Sequence, residues 1–109
     1  MSHVSDAALE YFRCVREQDG DGIGALFAPG AVVVLPDGTA LRGIDEIRTF
    51  FENVAFANAI QPHPGVPIEA GDRCAVEITV GEDENPSVAD VFVVDDDGHV
   101  TDLRIYSGR

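Results

Sequence analysis

The sequence predicts one α+β domain, with three helices in its first half laid over a curved, mixed but mostly antiparallel sheet. Three patterns predict it. Apolar residues recur at helical spacing as far as Val54, Arg73 to Val80 alternates apolar with polar, and two apolar runs flank Asp95-Asp96-Asp97-Gly98 as a hairpin. A chain of 109 residues holds one core and is too short for two, so residues 1–109 read as a single domain.

In chain order, Ser5 is positioned to cap a first helix whose apolar residues are Ala8, Leu9, Tyr11, Phe12 and Val15, ending near Asp19-Gly20. A second, short helix after Asp21 carries Ile23, Leu26 and Phe27 on one face and stops at Pro29-Gly30. Ala31 to Leu35 is a buried strand by composition, Pro36-Asp37-Gly38 a turn, and Thr39 to Arg42 a short return strand. Gly43-Ile44-Asp45 opens the third helix, in which Ile47, Phe50, Phe51 and Val54 share a face. Asp45 and Glu46 in its first turn suit the helix dipole.

From Asn58 the pattern changes to sheet. Asn58 to Gly71 contains three prolines and reads as irregular or edge strand. On Arg73 to Val80, Cys74, Val76, Ile78 and Val80 share one face. Gly81 to Pro86 is an acidic loop, and Val88 to Val94 pairs with Val100 to Tyr106.

Net charge is −13, from 20 acidic and 7 basic residues. Such a surface repels phosphate backbones, which sets nucleic acid and anionic membranes aside as partners. No apolar run approaches membrane-spanning length and the N-terminus lacks a signal-peptide pattern, so the expectation is a cytoplasmic protein with no membrane partner. Cys14 and Cys74 read as small buried hydrophobes, with a disulfide between them left open. His3, His63 and His99 have no ligand spacing, and Asp95-Asp96-Asp97 lacks the acidic residue a calcium loop requires further on; no metal and no cofactor is expected.

One position asks for a chemical reason. Asp90 lies inside Val88-Ala89-Asp90-Val91-Phe92-Val93-Val94, and strand alternation points it the same way as Val88, Phe92 and Val94. A carboxylate on an apolar face is costly when ionised, so it is paired, hydrogen-bonded or kept protonated. A sheet wrapped over a long helix leaves a pocket at its open end, which Tyr11, Leu35 and Asp90 are placed to face.

These residues carry a resemblance. Tyr11, Leu26-Phe27-Ala28, Gly30-Ala31-Val32-Val33 followed by Pro36, Gly43 with Ile47 and Phe50-Phe51, and Asp90-Val91 leading into Asp95 to Val100 resemble the nuclear-transport-factor-2-like superfamily. Within it, they are similar to ketosteroid isomerases and SnoaL-type polyketide cyclases, over almost the whole chain. The resemblance implies a cone-shaped fold. It also implies an oxyanion hole in which Tyr11 and a protonated Asp90 donate hydrogen bonds to a developing enolate. The general base of those isomerases is an Asp just before a Pro, and here that position is Leu35, before Pro36. A second, supporting Tyr corresponds to Phe51.

The catalytic candidates are therefore Asp90 and Tyr11. The candidates for contact with substrate are Leu35, Phe51, Phe27, Phe92 and His63. Each has a plainer alternative: Asp90 as a structural carboxylate, Tyr11 as a core aromatic whose hydroxyl meets water. A replacement base would come from Asp37, His63 or Glu77, although turn chemistry, a solvated loop and an outward strand face account for these three without catalysis. The expected function is a cofactor-free isomerase- or cyclase-like protein for a small apolar carbonyl or phenolic ligand. The alternative is a non-catalytic binding or dimeric interaction module. Ala89, Val91 and Val93 give the sheet an apolar outer face, which points to a homodimer.

Overall fold

Val4, Ala8, Tyr11, Phe12 and Val15 form one buried stripe on α1 (His3–Glu17), the helix over which the sheet curves. The computed structural model describes residues 3–58, 61–80 and 85–107. After α1 come α2 (Gly20–Leu26), β1 (Phe27–Val34), β2 (Ala40–Arg42) and α3 (Gly43–Phe50). A π-helical turn over Phe51–Ala55 extends α3. The remaining strands are β3 (Pro62–Pro64), β4 (Ile68–Ala70), β5 (Arg73–Val80), β6 (Val88–Val94) and β7 (Val100–Ser107). This is the expected α+β cone, with three helices on one open sheet. The acidic loop expected over Gly81 to Pro86 lies largely outside the described residues.

Several boundaries differ from the sequence expectation. The first helix begins ahead of Ser5, because Val4 is only 1% exposed and the helix must continue back to bury it. The Ser5 hydroxyl does not cap the helix and donates instead to the Glu69 carboxylate on β4. α2 starts at Gly20 because Asp19 is its cap: Asp19 Oδ1 accepts from the Gly22 N–H at 2.9 Å. Phe27 is not helical. It opens β1, opposite Val100, and Pro29-Gly30 falls in an irregular stretch of that strand before regular pairing resumes at Val32. Proline and glycine are tolerated there because the ladder is already broken.

The sheet order is β2-β1-β7-β6-β5-β3, with β4 also paired to β5. β1 and β7 run parallel and the other pairs are antiparallel, so the sheet is mixed. The register sets inward-facing rows. Cys74, Phe92, Leu103 and Val33 align across β5, β6, β7 and β1, all fully buried beneath the helices. One step along, Val76, Asp90 and Ile105 form the next row, and beyond it lie Ile78 and Val88. Asp90 thus sits where solid core gives way to the open end of the cone.

Cys14 and Cys74 are both buried free thiols, so no disulfide joins them. Among the described residues no helix is long and apolar enough to cross a membrane.

Candidate functional site

At the open end lies a cavity of about 230 Å³. α1 contributes Tyr11, Phe12 and Val15 to its wall, and the end of β1 contributes Leu35 and Pro36. The α3 segment adds Phe50, Phe51, Val54 and Ala55, and the sheet adds Pro62, Ile78, Val80, Val88, Asp90 and Ile105. Only two of these side chains, Tyr11 and Asp90, can donate or accept a hydrogen bond.

Asp90 is 3% exposed and its Oδ1 has no hydrogen-bond partner among the described residues, a costly state for a charged group. Burial alone pushes its carboxyl up to about 7, so the proton-bearing form is the stable one below neutral pH. Tyr11 is 5% exposed, and its ring packs edge-on against Phe12, Phe51 and Phe92 at 5.1, 5.7 and 5.3 Å between centroids. Burial first, and then the charge of nearby Asp90, hold its phenol well above the usual range. Below neutral pH both groups are therefore held in forms that donate a hydrogen bond. Within the described residues the Tyr11 hydroxyl has no hydrogen-bond partner either, so both donors are free to meet a third oxygen in the cavity.

The residues expected at the site divide cleanly. Tyr11, Asp90, Leu35 and Phe51 line the cavity together. Phe27 and Phe92, at 2% and 0% exposed, do not reach it. Phe92 shares the inward direction of Asp90 but belongs to the row beneath the helices, where Phe12 lies over it at 6.0 Å. Phe27 is drawn into the core by its place at the start of β1. His63 is exposed on the edge strand β3, while its neighbour Pro62 faces inward; alternation turns the imidazole away from the cavity.

The other two candidate bases also lie elsewhere. Asp37 is exposed in its turn, where its Oδ1 accepts from the Thr39 N–H at 2.8 Å and that bond keeps its carboxyl below the usual range. Glu77 is exposed on the outer sheet face, opposite Ala89. In the hairpin turn, Asp95, Asp97 and His99 bring possible ligand atoms within 4.8 Å of one another. Asp95 Oδ1 is already occupied there, accepting from the backbone of Asp97 and His99 at 3.0 and 2.9 Å.

Of the sheet wall, Asp90 alone is among the site candidates read from the sequence. Ile78, Val80 and Val88 share the alternation of Asp90 and were legible by that rule, as was Phe50 on the apolar face of α3. Val54 shares that α3 face and was legible in the same way, whereas Pro62 carried no such signal. Pro62 is placed by β3 pairing with Val80, and Val54 is 43% exposed on the π-helical turn yet stands at the cavity wall.

The comparisons with known proteins agree with this architecture. The SnoaL-like domain family matches residues 8–103. A putative polyketide cyclase from Sinorhizobium meliloti is 26% identical, with a TM-score of 0.76 over 92% of this chain and 93% of its own. The Δ5-3-ketosteroid isomerase from a Mycobacterium species is 24% identical, with a TM-score of 0.80 over 97% and 93%. RV0760c from Mycobacterium tuberculosis, solved in complex with estradiol-17β-hemisuccinate, is 22% identical, with a TM-score of 0.78 over 97% and 94%. Among curated proteins none matches the sequence. With nearly its whole length matched and the same cone-shaped fold as these structures, the chain belongs to the SnoaL-like domain family, within the nuclear-transport-factor-2-like superfamily.

Proposed function

We propose that the protein holds a small apolar carbonyl or phenolic ligand in this cavity, with Tyr11 and Asp90 donating hydrogen bonds to one ligand oxygen. The observation that carries the reading is Asp90 Oδ1, buried, unpartnered and on the cavity wall with Tyr11. Two neutral donors in an apolar enclosure stabilise charge developing on a carbonyl oxygen more strongly than water does. The steroid complex of RV0760c and the activity named for the Mycobacterium isomerase support an apolar, oxygen-bearing ligand of this kind. A cofactor-free isomerase or cyclase chemistry would use these donors for enolate stabilisation, the proton being moved by the substrate or by a group outside the cavity wall described above.

A specific observation favours a second reading, a non-catalytic binding protein. Leu35 makes the position before Pro36 apolar, and none of Asp37, His63 or Glu77 lines the cavity. Both readings share the binding step. Fluorescence titration with 2-naphthol should show saturable binding that weakens at least tenfold in Asp90→Ala. Absence of saturable binding, or binding indifferent to Asp90, overturns the proposal. In the same reading the protein is a homodimer through the outer sheet face, where the Ala75-Val91-Arg104 row is flanked by half-buried Ala89 and Val93.

A further inference from the structure

The charge balance of the cavity points to a second class of ligand. Asp90 is opposed by Val76 on β5 and Ile105 on β7, and from α1 it faces Tyr11; no other titratable side chain among the described residues lines the cavity. None of the lining residues is basic. The chain contains no lysine, and the two arginines of the helical layer that form ion pairs are occupied outside the cavity. Arg13 bonds Glu10 at 2.7 Å and Asp19 at 3.0 Å, and Arg48 bonds Asp21 at 2.6 Å and Glu52 at 2.9 Å. A buried carboxyl with no cation beside it among the described residues either keeps its proton or takes its counter-charge from the ligand.

We infer that the same cavity admits lipophilic amines, with the ligand ammonium donating to the ionised Asp90 carboxylate and, beside it, to the Tyr11 hydroxyl oxygen. The fit is chemical on three counts. Asp90 Oδ1 is a free acceptor at the cavity wall, the remaining wall is apolar and suits a hydrocarbon body, and a net charge of −13 draws cations toward the protein. Ligand class is then selected by the protonation state of one side chain. Protonated Asp90 donates to a carbonyl or phenol, and ionised Asp90 accepts from an ammonium. The inference rests on the cavity and on the position of Asp90 given above, but not on any catalytic role.

The two classes must respond to pH in opposite senses. An amine such as naphthalen-1-ylmethylamine remains charged across the range from about pH 5 to about pH 8, so its affinity follows ionisation of Asp90 alone. Burial lifts that ionisation to about 7. Amine affinity should climb about tenfold per pH unit toward neutrality and then level off, while affinity for 2-naphthol, which needs the protonated acid, should fall above neutrality.

The test is calorimetric titration of both probes at about pH 5 and about pH 8, on the wild-type chain and on Asp90→Asn. Support consists of amine affinity that rises with pH in the wild type, together with a ratio of amine to naphthol affinity that drops at least tenfold in Asp90→Asn. The wild-type pH slope stands as evidence even if that variant does not fold. Naphthol binding without amine binding at the higher pH overturns the inference and leaves the proposed function standing. Amine binding that ignores both pH and the substitution overturns it as well, since the hydrocarbon body alone would then account for it. Failure of both probes removes both readings.

Discussion

Tyr11 on the helix wall and Asp90 on the sheet wall face one apolar cavity, close enough that the charge of Asp90 helps keep the Tyr11 phenol neutral. The register explains the pairing. Asp90 occupies the first inward row beyond the buried Cys74-Phe92-Leu103 row, and Tyr11 is locked by edge-on contacts to three phenylalanines.

Asp90 should make stability fall as pH rises. Its folded-state carboxyl is lifted from the ordinary 3.8 to about 7, so the folded chain holds this proton more tightly than the unfolded chain. The contribution is fully present below about pH 4 and is lost progressively as pH rises to about 7, because over that range the unfolded chain has released this proton and the folded chain still holds it. The shift corresponds to roughly 4 kcal/mol as an upper figure. Urea unfolding at about pH 5 and about pH 8 should show Asp90→Asn gaining on the wild type at the higher pH by a few kcal/mol. An equal difference at both pH values would mean that Asp90 is not desolvated.

Tyr11→Phe should leave the fold intact, because the ring contacts to Phe12, Phe51 and Phe92 are kept. Only the donor is lost. Affinity for 2-naphthol should drop roughly three- to tenfold, the worth of one hydrogen bond, while the thermal midpoint changes little. Unchanged affinity would remove Tyr11 from the site.

Phe92→Ala tests the opposite assignment. Phe92 is 0% exposed and supports both Tyr11 and Phe12, so the substitution should cost about 3–5 kcal/mol in urea unfolding. A cost under about 1 kcal/mol would show that Phe92 is not core.

Leu35 should matter to chemistry more than to folding. The wild-type chain is expected to leave a 5-ene-3-ketosteroid unchanged in an ultraviolet absorbance assay, and Leu35→Asp to convert it measurably, by placing a carboxylate on the cavity wall. Ready turnover by the wild type would show that a base outside the described wall serves the reaction.

The fold was legible wherever a period was strong. The buried stripe of α1, the alternation of β5 and the β6–β7 hairpin all lie where the apolar spacing puts them. What failed was decided by tertiary partners. Ser5 looks like a cap until Glu69 arrives from residue distances no local rule covers, and Phe27 follows a helical spacing yet pairs with Val100. At the site, the direction of Asp90 follows from alternation alone, but depth along the cone does not. Phe92 and Asp90 point the same way and end in different rows, one in the core and one at the cavity. His63 faces away from the cavity because pairing with Thr79 fixes its side of the strand, which a Pro-His-Pro segment that reads as a loop does not reveal.

The claim that two neutral donors meet at one ligand oxygen is tested most directly by a crystal structure with 2-naphthol bound below neutral pH. Its oxygen should lie within about 3 Å of both Tyr11 Oη and an Asp90 carboxyl oxygen, with the rings against Leu35 and Phe51. Naphthol seated elsewhere, or Asp90 turned to a protein partner with the ligand oxygen unmet, would contradict it.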